Sequence, residues 1–191
     1  MKKIILISLF LFLMLFDAFS YADAIQSEIS QNVIRLHIIA SSDKPEDQTL
    51  KLKVRDSVLK QMREQDFSDY SIAYNYISNN LDTFKEIALS TLKENGCNDD
   101  VHIEFKKCDF PEKSYDLLTF PSGEYIALRI IIGEGVGHNW WCVMFPALCF
   151  SDFVCSGDNA EIALKEALSE ESFAIIANKS KIKLKIVDFF N

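Results

Sequence analysis

The stretch NVIRLHIIASSDKPEDQ, residues 32–48, sets the narrowest limits on the fold, because an alternating strand pattern gives way within a few residues to the signals that start a helix. Ile34, Leu36, Ile38 and Ala40 share one face, and Val33, Arg35, His37 and Ile39 share the other, which is the two-residue period of a β-strand. Ser42 or Asp43 can then act as a cap, Pro45 suits the first helical turn, and Glu46 and Asp47 favour the positive end of a helix dipole. The helix this predicts runs from about Pro45 to Met62, with Leu50, Val54, Val58 and Met62 as its apolar stripe, although LKLKV by itself also alternates as a strand.

A second helix is predicted from about Tyr70 to Asn95, where Ile77, Leu81, Phe84, Ala88 and Leu92 recur at helical spacing before Gly96 offers a stop. Val101, Ile103 and Phe105 alternate with His102, Glu104 and Lys106 as a strand does. Glu124 to Ile132 is rich in β-branched residues, the glycine-dense GEGVGH follows, and Asn139 to Phe145 is aromatic and apolar, a pattern that predicts a β-hairpin. Asp158 would cap a helix reaching about Glu170, and Ile182, Leu184 and Ile186 alternate with lysines in a last predicted strand. The order of elements implies an α+β (or α/β) domain, with helices packed on one mainly antiparallel or mixed β-sheet.

Ahead of this domain, Lys2 and Lys3 precede an apolar run from Ile4 to Phe16, broken only by Ser8 and followed by small residues up to Ala24. That is the layout of a secretory signal peptide. The run holds roughly 13 residues, whereas crossing a bilayer as a helix takes about 20, and Asp17 ends it with a charge. Residues 1–24 are therefore expected to be removed, after Ala22-Asp23-Ala24 or, as a second choice, after Ser20-Tyr21-Ala22, with no stable membrane insertion afterwards; the rival reading is an uncleaved N-terminal anchor. Residues 25–191 make one domain of ordinary size. The net charge of -8, with no basic run, argues against nucleic acid or an anionic lipid surface as a partner.

The decad GEGVGHNWWC, residues 133–142, invites a catalytic reading, because a cysteine nucleophile needs a neighbouring imidazole and His138 precedes Cys142. On a strand, however, the two would stand about 13 Å apart, beyond hydrogen-bond reach. No metal motif joins His37, His102 and His138, and the glycines do not open a helix as a dinucleotide fingerprint requires. Trp140 and Trp141 should point to opposite faces, one into the core and one partly exposed. No catalytic set and no cofactor are expected. Of the five cysteines, Cys142 and Cys149 straddle Pro146, so they are either a disulfide pair or two buried thiols.

The blocks VIRLHIIASSDKPEDQTLKLKVRDSVL and FPSGEYIALRIIIGEGVGHNWWCVMFPALCFSD resemble the stage II sporulation protein R family, and together they cover a large part of the exported chain. Two features depart from the family pattern: Pro146 is followed by Ala147 where paired prolines are usual, and Cys97, Cys108 and Cys155 have no place in it. The resemblance implies a non-enzymatic signalling protein of endospore formers, made in the forespore and exported into the space between the two membranes. Its partner would be a mother-cell membrane-embedded protease that processes the precursor of sigma-E. Candidate contact residues in the two blocks are Arg35, Asp43, Lys53, Arg55 and Asp56, and Glu124, Arg129, Glu134, Asn139, Trp140 and Trp141. Each also has an ordinary reading: Asp43 as a cap, Arg55 and Asp56 as solvated charges, Glu124 and Arg129 as a pair within the sheet. The alternative from another class is a secreted cysteine hydrolase of the cell wall, using Cys142 with His138 or His37 and Asp43 or Asp152.

Overall fold

The computed structural model describes residues 2–65, 67, 69–115, 118–146, 148 and 157–177. The described elements are α1 (Lys2–Asn32), β1 (Ile34–Ile39), α2 (Pro45–Arg63), α3 (Tyr70–Asn79), α4 (Leu81–Glu94), β2 (Val101–Phe110), β3 (Lys113–Tyr115), β4 (Leu118–Phe120), β5 (Gly123–Ile132), β6 (Asn139–Phe145) and α5 (Gly157–Ala167). A further helix, α6, covers 170–177. The fold is α+β: a mixed four-stranded sheet in the order β2-β5-β1-β6, with β3 and β4 forming a separate two-stranded sheet.

The alternation in residues 33–40 makes β1 an inner strand, parallel to β5 on one side and antiparallel to β6 on the other. All six of its residues are buried, as a strand covered on both faces requires. On one face, Leu36 and Ile38 meet Leu128 and Ile130 of β5 and Cys142 and Met144 of β6, beneath Val54, Val58 and Met62 of α2 and Phe84, Ala88 and Leu92 of α4. On the other, Val33, Tyr125, Ala127 and Val143 pack under Ile25 and Ile29 of α1, Leu118 and Phe120 of the small sheet, Leu164 of α5, Leu168 just after it and Ile176 of α6.

The expected hairpin does not form: β5 and β6 are not neighbours, because β1 lies between them. The connection 133–138 therefore has to cross two strand spacings, about 10 Å, over the end of β1. Gly137 N–H bonds to Ala40 O (3.0 Å) on the way. The long second helix is two helices, α3 and α4, parted at Asn80, whose side chain donates to Tyr76 O (2.7 Å). Neither Ser42 nor Asp43 caps α2: Lys44 holds that position without a side-chain bond, and Ser42 instead bonds Asp47 (2.5 Å). α5 starts at Gly157 and stops at Ala167, short of the expected end, and Ser169 then opens α6, its Oγ accepting from Ser172 N–H (3.2 Å). The strand expected at Ile182–Ile186 lies outside the described residues.

α1 is one continuous helix of 31 residues, long and apolar enough in its first part to cross a membrane, a property that signal sequences near an N-terminus share. Ile4 to Phe16 are exposed, whereas Ile25 and Ile29 belong to the core. Glu28 ties this end down, its carboxylate accepting from Ser169 N–H (2.6 Å), Ser169 Oγ (2.9 Å) and Ser172 Oγ (2.6 Å) at the start of α6. Those bonds, led by the one from Ser172, hold the Glu28 carboxyl below its ordinary pKa.

Candidate interaction site

The β1–α2 turn and the β5–β6 connection, almost a hundred residues apart in sequence, meet at the carboxyl end of β1. Backbone bonds join them: Gly137 N–H to Ala40 O at 3.0 Å and Val136 N–H to Ser41 O at 3.4 Å. The approach leaves no room for side chains at two glycines. A Cβ on Gly137 would lie 2.3 Å from Ser42 O, and one on Gly133, whose φ is +55°, would lie 2.2 Å from Ser41 Oγ. Asp43 Oδ1 then accepts from His138 N–H (2.6 Å) and bonds the ring Nδ1 of His138, and these bonds, with the ring first, hold the Asp43 carboxyl below its usual range. From beneath, Lys51 of α2 donates to His138 O (2.9 Å) and Gln48 Oε1 (2.5 Å), and burial lowers the pKa of its ammonium. The result is a rigid loop cluster carrying Glu134, Val136 and His138 on its exposed side.

A polar row crosses the second sheet face in one register: Glu104 opposite Arg129, Arg129 opposite His37, His37 opposite Trp141. Arg129 Nη1 donates to Glu104 Oε2 at 2.5 Å. Arg129 Nε–H donates to His37 Nδ1 at 3.4 Å, so the imidazole proton sits on Nε2, which donates to Asn139 Oδ1 at 2.7 Å. Trp141 stacks on the imidazole with centroids 3.7 Å apart. Burial, opposed by the Asn139 bond and aided by the Arg129 charge, lowers the His37 pKa from 6.5 to about 4. His37 is therefore neutral and fixed in one tautomer near neutral pH.

Two residues before His37 on the same face of β1, Arg35 is fully buried. Its guanidinium carbon lies 4.5 Å from the Phe110 ring centroid, 4.9 Å from Tyr125, 5.4 Å from Phe120 and 5.7 Å from Tyr115. Nε donates to Cys142 O (3.1 Å) and Nη2 to Tyr115 Oη (3.0 Å), while Nη1 has no partner among the described residues. Among the described residues no carboxylate pairs with it, and the aromatic faces supply electrostatic compensation.

The expected contact residues divide accordingly. Asp43, Glu134 and Asn139 are exposed at or beside the loop cluster, and Arg129 is held in the polar row. Arg35 is a core side chain with no exposed surface. Lys53 bonds Asn95, away from the cluster. Arg55 pairs with Asp56 (2.7 Å) and lies over the Trp140 ring at 4.4 Å, so it is not simply a solvated charge. Glu124 stands at the far end of β5 opposite Asp109, and the pairing expected of it with Arg129 is made by Glu104 instead. Trp140 and Trp141 do face opposite ways, but both are half-buried, one under Arg55 and the other on His37.

Two participants escaped the sequence reading. Lys51 is a lysine on the buried side of α2, a weak signal beside Leu50 and Val54, and Glu104 looked like one polar member of an alternating edge strand. Cys142 is buried and disulfide-bonded, which leaves no thiol there for nucleophilic attack and removes the basis of the hydrolase alternative. Cys97 and Cys108 are free. Cys149, the proposed partner of Cys142, lies outside the described residues, as do Cys155 and Asp152. Among the described residues, no three His, Cys, Asp or Glu side chains come together as metal ligands.

A family model for stage II sporulation protein R matches residues 30–155, a span that starts just ahead of β1 and contains both loops of the cluster, the polar row and Arg35. The chain belongs to the stage II sporulation protein R family. The stage II sporulation protein R of Bacillus subtilis (strain 168) is 38% identical over 183 residues, covering 90% of this chain and 80% of that protein. No solved structure matches. Membership of the stage II sporulation protein R family gives the chain a role in sporulation, and its apolar N-terminal helix is consistent with a signal peptide.

Proposed function

We propose that this protein is an exported forespore signal that activates a membrane-embedded protease of the mother cell and so triggers processing of the sigma-E precursor. The observation that carries the reading is the family match across residues 30–155, set behind an apolar leader. A trigger of this kind needs no chemistry of its own. It has only to bind the active form of the protease better than the inactive form, and each tenfold preference shifts that equilibrium by about 1.4 kcal/mol. A domain whose exposed loops are fixed by backbone bonds suits the task, because little ordering entropy is lost on binding. Residues 25–191 would act as one domain in the space between the two membranes, after loss of residues 1–24.

Co-expression in a non-sporulating host tests this. With the protease and the precursor present, the exported protein should raise precursor cleavage, and with the protease omitted it should do nothing. Cleavage of the precursor by the purified protein alone would refute the signalling role.

A further inference from the structure

We propose that the loop tip centred on Val136, flanked by Glu134 and Asp43, is the docking surface for a protein partner offering an apolar pocket with a basic rim. The proposal rests on the signalling role above and names the surface that carries it. Val136 is 70% exposed, more than any other large apolar side chain outside α1 among the described residues; Ile162 follows at 51% and Ile72 at 45%. A single exposed valine is ordinary on a protein surface. What sets this one apart is that it is not loosely placed. Its own N–H is bonded to Ser41 O, Gly135 N–H to Ile132 O (3.1 Å) and Gly137 N–H to Ala40 O, so the apolar knob is presented in one fixed position.

The charge around it decides what kind of surface it fits. Glu134 and Asp43 are exposed beside the tip; Asp100, whose carbonyl accepts from Gly133 N–H (2.9 Å), lies next to it with its carboxylate 3.8 Å from Lys85 Nζ. Lys44 is the one exposed lysine in the two loops. On a chain of net charge -8 this end would be repelled by an anionic lipid surface and by a second copy of itself. A basic protein surface is the complement.

The test uses the full-length protein, co-expressed with the membrane protease and precursor, and a pull-down of the detergent-solubilised protease. Val136→Asp and Glu134→Lys should each lower precursor cleavage and protease capture at least tenfold. Glu94→Lys, on α4, should leave both within twofold. Exported amount and melting temperature should match the parent protein, and if Val136→Asp fails to accumulate, Glu134→Lys decides. Capture by the parent protein should weaken at least fivefold between 50 and 500 mM salt, values on the order of those that screen surface charge. Full capture and cleavage by the Val136→Asp, Glu134→Lys double variant would overturn the proposal, as would capture insensitive to salt. Binding to phosphatidylglycerol vesicles that Val136→Asp abolishes would assign the tip to lipid and overturn it too. Capture by the parent protein without any cleavage, if lost in the variants, would sink the signalling role while leaving this surface standing. No capture of the protease at all would overturn both.

Discussion

The two faces of the main sheet solve the same burial problem with different materials. Beneath α2 and α4 the face is apolar throughout, with Leu36, Ile38, Leu128, Ile130 and Phe84 packed by shape alone. The opposite face, under the end of α1 and the small sheet, buries a guanidinium in an aromatic cage and a neutral imidazole in a four-strand polar row. Apolar packing tolerates exchange among residues of similar volume, whereas a buried polar group depends on partners supplied by other strands at one register. The first face supplies bulk stability. The second fixes which strands lie side by side, and it aligns β6, and with it the β5–β6 connection, against β1.

The sharpest break of that contrast is Phe84→Ala, which removes a fully buried ring from the apolar face and should cost about 3–5 kcal/mol in urea unfolding. A loss near zero would mean that α4 does not hold this face closed. Next comes the pH dependence of His37. Its pKa is depressed in the fold, so the unfolded chain binds the extra proton first; the stability is complete above pH 6.5 and falls as pH drops toward about 4. The decline should reach about 3 kcal/mol at most, and His37→Gln should flatten it in denaturation curves taken between those values. An unchanged slope in the variant would place the titrating group elsewhere.

Arg35→Met gives a smaller effect. The change removes a desolvated charge but leaves Cys142 O and Tyr115 Oη without their guanidinium donor, opposed effects that should leave a net loss of about 1–2 kcal/mol. A loss as large as that of Phe84→Ala would make the cation–aromatic cage the energetic centre of the second face. Smallest is Glu28→Gln, which weakens a charge-assisted cap on α6 and should cost about 1 kcal/mol. Because the Glu28 pKa is lowered in the fold, this contribution is present above the ordinary carboxylate range and fades as pH falls through it, so parent and variant should converge in acid.

Periodicity reveals what depends on local pattern. The β1 alternation, the Val54, Val58 and Met62 stripe and the β2 strand all stand where the sequence puts them. Strand adjacency is different: Glu124–Ile132 and Asn139–Phe145 carry every mark of a hairpin, yet nothing local records that β1, ninety residues earlier, occupies the space between them. The same blindness hid the partner of Arg129. Glu124 shares its strand, but Glu104 faces it across β2 and β5, a neighbour that only the register defines. Asp43 was legible as an acceptor for a backbone N–H; that the donor would be His138 and not the α2 terminus follows from the tertiary crossing of the loop. The break at Asn80 was missed because the apolar stripe continues through it unaltered.

The central question is whether the folded domain acts from outside the membrane. Purified protein lacking residues 1–24, added externally to spheroplasts that hold the protease in their membrane and the precursor in their cytoplasm, measures this directly as precursor cleavage over time. Cleavage that rises with the concentration of added domain, and stops when the protease is absent, is the predicted result. No response to external domain, together with full cleavage when the same domain is made in the cytoplasm, would contradict it.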